Sequence, residues 1–176
     1  MRRLQGADDT ALADLMQRWE RPVKALIARM VLNTAEAEEL AQETFVRIWQ
    51  HRGRFDTTKP FKPWILGIAA NLARNRLRWW RRRPSIQLDE WMKIEPPVAT
   101  DQPEGTNRLE QQERAAAVRD AIARLPVDLR EALILFQYER MSYIEIASAV
   151  GATPKAVENR LARARAKLRP ALRAWA

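Results

Sequence analysis

The chain has 176 residues, 47% hydrophobic and 30% charged, with a net charge of +9, five glycines, one histidine and no cysteine. So few glycines, with abundant Ala, Leu, Arg and Glu, point to an all-α chain of one ordinary domain or two small ones. The missing cysteines exclude a disulfide framework, thiolate zinc sites and cysteine nucleophiles, and the single His51 argues against imidazole metal sites and a Ser-His-Asp triad.

The first helical stretch is expected over about Asp9 to Val31. Leu12, Leu15, Met16, Trp19, Val23, Leu26, Ile27 and Met30 follow the three-and-four spacing of one buried face. Pro22 falls inside it and predicts a kink or a break. Asn33 with Glu36 resembles a capping box and opens a second helix to about Gln50. Its buried side is predicted to be Ala37, Leu40, Ala41, Thr44, Phe45 and Ile48. The segment His51–Lys62 reads as a loop, and Pro63 suits the first turn of a third helix reaching about Arg83. Ile65, Ile68, Ala69, Leu72 and Trp79 form its apolar stripe. Trp80 is ambiguous between covering a neighbour and lying exposed, whereas Trp64 is expected to pack under the loop.

From Pro84 to about Asn107 the periodicity stops. Four of the ten prolines and much of the local acid lie there, so it reads as a linker, pinned in part by Trp91 and Ile94. Periodicity returns with Leu109, Val118, Ile122 and Leu125 and breaks at Pro126. Asp128 is expected to cap a helix carrying Leu129, Ala132, Leu133 and Phe136. Ser142 and Glu145 form a capping box for a short helix to Val150. Gly151 then turns the chain, and Thr153-Pro154 starts the last helix. Two small helical domains, 1–83 and 108–176, are therefore expected on either side of the linker at 84–107.

Charge is unevenly placed. Residues 51–83 hold 10 Lys/Arg against one carboxylate, residues 84–113 hold 2 against 7, and residues 151–176 hold 7 against 1. Two basic segments flanking an acidic one suggest two contacts on one polyanion. The plain alternative is a solvated basic surface or tail, but both segments also carry helical apolar periodicity. No apolar run approaches the ~18–20 residues of a membrane span, and no signal-peptide pattern opens the chain. The expectation is a cytoplasmic protein that is not an enzyme and needs no cofactor or metal.

The run MSYIEIASAVGATPKAVENRLARARAKLR has helix-turn-helix anatomy. On its second helix Val157, Leu161, Ala164 and Leu168 must face the core. Lys155, Asn159 and Ala162 lie opposite, with Glu158 and Arg163 beside them and Arg160, Arg165 and Lys167 flanking. In such a motif that outer face enters the major groove, where Asn and Arg read base edges and the flanking cations neutralise phosphates. The alternatives are a charged α-hairpin or a basic helix lying on an anionic membrane. The capped short helix, the small-residue turn and the one-sided charge together favour the DNA reader.

Two further segments, AEAEELAQETFVRIWQ and PFKPWILGIAANLARNRLRWWRRR, resemble the core-binding and the promoter-melting, −10-reading helices of the sigma-70 family of RNA polymerase sigma factors, in its small extracytoplasmic-function (ECF) group. ARLPVDLREALILFQYERMSYIEIASAVGATPKAVENRLARARAKL resembles that family's −35-reading domain. Three motifs in the family's order are specific where each alone is degenerate.

Glu39, Gln42, Glu43 and Val46 project away from the apolar stripe of the second helix. The resemblance implies that this face docks on the β′ clamp helices of core RNA polymerase, with Glu39, Gln42 and Glu43 at the family's docking positions. By composition alone that face reads as merely solvated. On the third helix Asn71, Arg74, Asn75, Arg78 and Arg82 form a polar stripe fit to track a strand. The resemblance makes Asn71 the residue that binds a base flipped from the non-template strand. It likewise makes the loop from Phe55 to Pro63 the base-specificity loop, with Phe55 lining the pocket and Phe61 also set at the −10 DNA. It further implies contact with the polymerase β subunit and control by an anti-sigma factor. The rival reading is a conventional helix-turn-helix regulator dimerising through the first domain, separable by strict dependence on core polymerase. A nuclease is set aside, because metal-dependent phosphoryl chemistry needs converging carboxylates that the basic segments lack.

Overall fold

A computed structural model describes residues 1–6, 8, 10–82 and 108–173, without the side chains of 108–112 and 171. The described residues form α1 (Arg2–Gln5), α2 (Thr10–Val31), α3 (Thr34–His51), a 3₁₀ turn (Arg52–Arg54), α4 (Phe61–Arg81), α5 (Arg108–Ala123), α6 (Val127–Gln137), α7 (Tyr143–Val150) and α8 (Pro154–Leu172). No strand occurs among them, as the all-α expectation requires. The expected linker, with Trp91 and Ile94, and the Leu109 side chain lie outside the described residues.

Helices α2, α3 and α4 pack on one another as the first bundle. Val23, Leu26, Ile27 and Met30 of α2 are buried, while Leu12, Leu15, Met16 and Trp19 pack half-buried at its other end. Helix α2 runs through Pro22 without a break, in contrast to the break allowed for in the sequence. It ends at Leu32, held at φ 59 in the left-handed region, where a residue with a Cβ is strained. Helix α3 starts as the sequence indicates: the Asn33 side chain accepts a hydrogen bond from the Glu36 N–H at 3.0 Å. Its buried set is Ala37, Leu40, Ala41, Thr44, Phe45 and Ile48, the six residues expected.

Helix α4 begins at Phe61, inside the expected loop, and Pro63 lies in its first turn as expected. Its apolar stripe is also rotated from the expected one. Ile65, Leu66, Ala69, Ala70, Ala73 and Trp80 are buried, whereas Ile68 and Leu72 are half-buried and Trp79 is exposed. The cause is tertiary: α4 meets α2 and α3 on one side and α7 on another, so two neighbours share its circumference.

In the second domain α6, α7 and α8 pack together, with α5 against α8. Pro126, not Asp128, occupies the N-cap of α6, and no side chain caps it. Proline fixes a backbone angle suited to a helix start, and Asp128 lies inside the first turn. Ser142 and Glu145 form the full reciprocal capping box on α7, and Gly151 ends that helix at φ 66. Hydrogen bonds from the Ser142 N–H and hydroxyl hold the Glu145 carboxyl below the usual carboxylate range.

Glu145→Ala should therefore cost about 1 kcal/mol of stability at neutral pH, as measured by denaturant unfolding. The folded-state carboxyl titrates below its unfolded value. Its contribution is therefore complete above the unfolded range and lost as pH falls through the lowered folded-state value. The gap between wild type and Glu145→Ala should close in acid; a gap independent of pH contradicts the capping role.

The two domains touch. Helix α7 lies across α4, and α6 packs against α2 and α4. Arg130 of α6 is buried at this junction. Its Nη1 donates to the Met30 carbonyl at 2.7 Å, and Nη2 donates to the Ala123 carbonyl, so one guanidinium serves the C-terminal ends of α2 and α5. Cations are favoured at helix C-termini. Burial lowers its pKa to about 10, which leaves it charged at neutral pH.

Candidate functional site

Three faces carry the functional candidates. The first is the solvent side of α3. Glu39 and Gln42 are exposed, Glu43 is about one-third exposed, and Val46 is 51% exposed. Burial of the opposite six residues leaves no other orientation for them. Glu43 pairs with Arg47 one turn on, at 2.9 Å. Glu39 accepts from Arg76 Nη2 of α4 at 3.0 Å, and the same guanidinium also bridges to Glu36. Sequence periodicity gave no sign of this tie, because it joins residues 37 and 40 positions apart. Between α3 and α4 lies a groove of about 590 Å³ lined by Leu40, Glu43, Leu72, Arg76 and Trp79 among others.

The second face is α4 with the loop before it. Asp56 folds the loop by accepting from the Thr58 N–H at 3.0 Å and its hydroxyl at 2.7 Å, which also lowers the Asp56 pKa. Phe55 is buried with its ring 4.8 Å from Trp64 and 5.7 Å from Phe61. Trp64 thus packs under the loop, as expected. Phe61 sits in the same aromatic cluster, edge-on to Trp19 at 5.5 Å, and so braces Phe55 from behind. A cavity of about 660 Å³ opens beside these rings, lined by Phe55, Trp64, Ile68, Asn71 and Arg74 on the first domain and by Ile144 and Ser148 of α7 on the second.

The structure divides the polar stripe of α4. Asn71 and Arg74 border the cavity, and the Asn71 Oδ1 accepts from Arg74 Nη2 at 2.8 Å. Asn75, Arg78 and Arg82 continue along the helix in solvent. Arg74 also reaches Glu131 of α6 at 3.3 Å, a pair whose side chains are only 18% and 1% exposed. Burial pushes the Glu131 carboxyl up, against the pull of Arg74, Arg160 and Arg78. Next to Arg130 and close to Asp128 in the chain, Glu131 reads in sequence as an ordinary surface charge. Only its distant arginine partners identify it.

The third face is α8. The Thr153 hydroxyl accepts from the Ala156 N–H at 3.1 Å, Pro154 opens the helix, and Val157, Leu161 and Ala164 are buried. Lys155, Glu158, Asn159, Ala162, Arg163, Arg165 and Lys167 are exposed, as the outer face requires. Lys155 pairs with Glu158 at 2.8 Å. Arg160 is half-buried and leans to Asp128 at 4.0 Å, while the Arg165 guanidinium lies 5.5 Å over the Phe136 ring. Asn159, Ala162, Arg163 and Lys167 thus make up the open centre of the face.

Among the described residues no group of three or more His, Asp or Glu could hold a metal, and no helix is long and apolar enough to cross a membrane. Residues 15–83 match the Sigma-70 region 2 family and residues 115–168 match Sigma-70, region 4. Over 172 residues, 98% of this chain and 95% of the relative, the sequence is 34% identical to RNA polymerase sigma factor CarQ of Myxococcus xanthus. The chain belongs to the sigma-70 family of RNA polymerase sigma factors. This sigma factor is of the ECF type: it is 31% identical to the ECF RNA polymerase sigma-E factor of Salmonella typhimurium, over 93% of this chain and 87% of that one. It directs core RNA polymerase to promoter DNA, and nothing in these likenesses supports a conventional dimeric regulator. The fold is shared with solved structures at 24% identity. CnrH in complex with the cytosolic domain of CnrY gives a TM-score of 0.70, covering 98% of this sigma factor and 94% of that chain. The sigma factor RpoE in complex with the anti-sigma factor NepR from Bartonella quintana gives 0.68, covering 93% and 98%.

Proposed function

We propose that the sigma factor divides its work among these three faces. Residues 1–83 bind core polymerase through Glu39, Gln42, Glu43 and Val46 and read the −10 element through Phe55, Asn71, Arg74, Asn75 and Arg78, with Phe61 as a support. Residues 84–107 connect them to residues 108–176, which read the −35 element through α8. The observation that carries this reading is the segregation of chemistry. An acidic face with one exposed valine, a cavity rimmed by aromatics, an amide and a guanidinium, and an open basic helix face occupy separate surfaces of one chain. An acidic face repels DNA and suits a basic protein partner, whereas the other two suit a strand and a duplex. The protein acts in the cytoplasm without cofactor or catalytic group, and binding energy alone captures the opened strand. The anti-sigma factor named with the solved RpoE supports control of this chain by a partner of that kind.

Asn159→Ala with Arg163→Ala should change −35 preference, at roughly 1–3 kcal/mol per lost bidentate base contact. Lys167→Ala should instead weaken binding to every sequence and flatten its salt dependence. Holoenzyme binding to a panel of promoter variants at several salt concentrations separates the two. A uniform loss from both sets would mean that another face of α8 enters the groove.

A further inference from the structure

We propose that Gln5 is a positioning residue for −10 reading: its side-chain amide clamps the turn that delivers Phe55 to the cavity, so that α1 braces the loop. The clamp stands on its own geometry, whereas its effect on base selection rests on the −10 reading given above. The Gln5 Nε2 donates to the Arg52 carbonyl at 2.8 Å and to the Phe55 carbonyl at 2.8 Å, across 47 and 50 positions of chain. A side-chain amide nitrogen has two donors, and here both go to one turn. That turn is the 3₁₀ segment Arg52–Arg54 at the end of α3, where carbonyls lack a further helical partner. The Phe55 N–H also donates to the Arg52 carbonyl, at 3.3 Å. Gln5 therefore ties the first carbonyl of the turn to the carbonyl of the residue that leaves it in extended conformation.

Helix α1 is built to hold Gln5 there. Four residues do not make a stable helix by themselves, so tertiary ties must order this one. Arg3 pairs with Asp8 and Asp14, each at 2.8 Å, and its Nη2 donates to the Thr10 hydroxyl at 2.9 Å. Leu4 is completely buried in the core of the first bundle. Gln5 is the next anchor along the chain, half-buried against the turn. Beyond Phe55, the bonds from Thr58 to Asp56 fold the rest of the loop. Phe55 is thus bracketed, with the Gln5 amide on its N-terminal side and the Asp56 carboxylate on its C-terminal side. Gln5 does not line the cavity, so it bears on a captured base only through Phe55. The matched region 2 span begins at residue 15, after the whole of α1.

Gln5→Met keeps the length of the side chain and removes both donors, and Gln5→Glu removes them at equal size with an ionised carboxylate. In full-length chains either change should make the amides of residues 55–59 exchange about tenfold faster by hydrogen-exchange mass spectrometry, with helicity by circular dichroism retained. Holoenzyme is then allowed to select from a pool of short random-sequence single strands, and the bound fraction is sequenced. Enrichment of the preferred base at one position should fall about three- to tenfold with Gln5→Met, the size of a partly lost stacking contact. Asn33→Ala removes the cap at the opposite end of α3 and lowers stability, yet should leave that enrichment unchanged. On a Phe55→Ala background Gln5→Met should add nothing, because its route to the base is gone. Unchanged exchange in both Gln5 variants overturns the clamp. Faster exchange with unchanged enrichment overturns the positioning role. In that case a preference lost in Phe55→Ala leaves the −10 reading standing, whereas Phe55→Ala without effect removes that reading too. An equal loss in Asn33→Ala, or an additive loss on the Phe55→Ala background, also overturns the positioning role.

Discussion

Holoenzyme carrying Asn71→Ala should still locate the −35 element but open duplex promoters poorly. Asn71 borders the cavity beside Phe55 and Trp64, and its Oδ1 is already engaged by Arg74 at 2.8 Å. The hydrogen bond to Arg74 orients the amide and leaves its donors for the edge of an extruded base. Phe55 lines the same cavity, where stacking would add to the capture of that base. Removing the amide leaves the base edge unpaired in a partly enclosed site, at a cost of about 1–3 kcal/mol. That corresponds to a roughly five- to hundredfold loss of open complex. The defect should shrink on a template mismatched over the −10 region, where the unpairing cost has been removed. What remains there should be lost discrimination at one −10 position. Permanganate footprinting on duplex and bubble templates reads both, and normal opening of duplex DNA by Asn71→Ala refutes the pocket assignment.

Reversing charge at Glu39→Lys and Glu43→Lys together should abolish co-purification with core polymerase. Each reversal turns an attraction for a basic partner into repulsion, and like charges across an interface cost several kcal/mol. The fold should survive. Glu39 and Glu43 take part in ion pairs with Arg76 and Arg47, but both pairs are partly solvated. Pairs of that kind contribute about 0–1 kcal/mol each. Thermal unfolding should therefore shift by only a few degrees. Arg76 keeps its bridge to the half-buried Glu36, so the α3–α4 packing retains one tie. Wild-type affinity for core polymerase in the folded double variant would place the polymerase contact elsewhere. The groove by Trp79 would then be the next surface to probe.

Much of the architecture follows from local signals. The α3 face is an example: six residues at helical spacing were enough to assign its buried side, and the acidic side followed by subtraction. The Ser142–Glu145 box and the Gly151 turn likewise depend only on neighbours a few positions away. The same holds for the −35 face, since Val157, Leu161 and Ala164 fix how α8 rolls against its own domain. Which residues α3 and α8 expose is therefore legible from local signals, together with the helix-turn-helix, whereas the α3 face became a docking candidate only through the family resemblance.

Other features wait on which helix lies across which. Periodicity marks an apolar face but not its neighbours, so it puts Trp79 on the buried stripe and leaves Trp80 open. In the packed structure the second is buried and the first exposed. Glu131 and Arg130 look like ordinary surface charges in sequence, yet both are buried where the domains meet. Their partners, Arg74 and the Met30 carbonyl, lie 57 and 100 positions away. Gly67 reads as a weak spot in a helix until the Ala149 backbone is found against it. Helix faces, caps and turns are set by interactions within a few residues, and the sequence displays those directly. Ion pairs and close approaches between distant segments depend on how two domains pack, and only the assembled structure decides them.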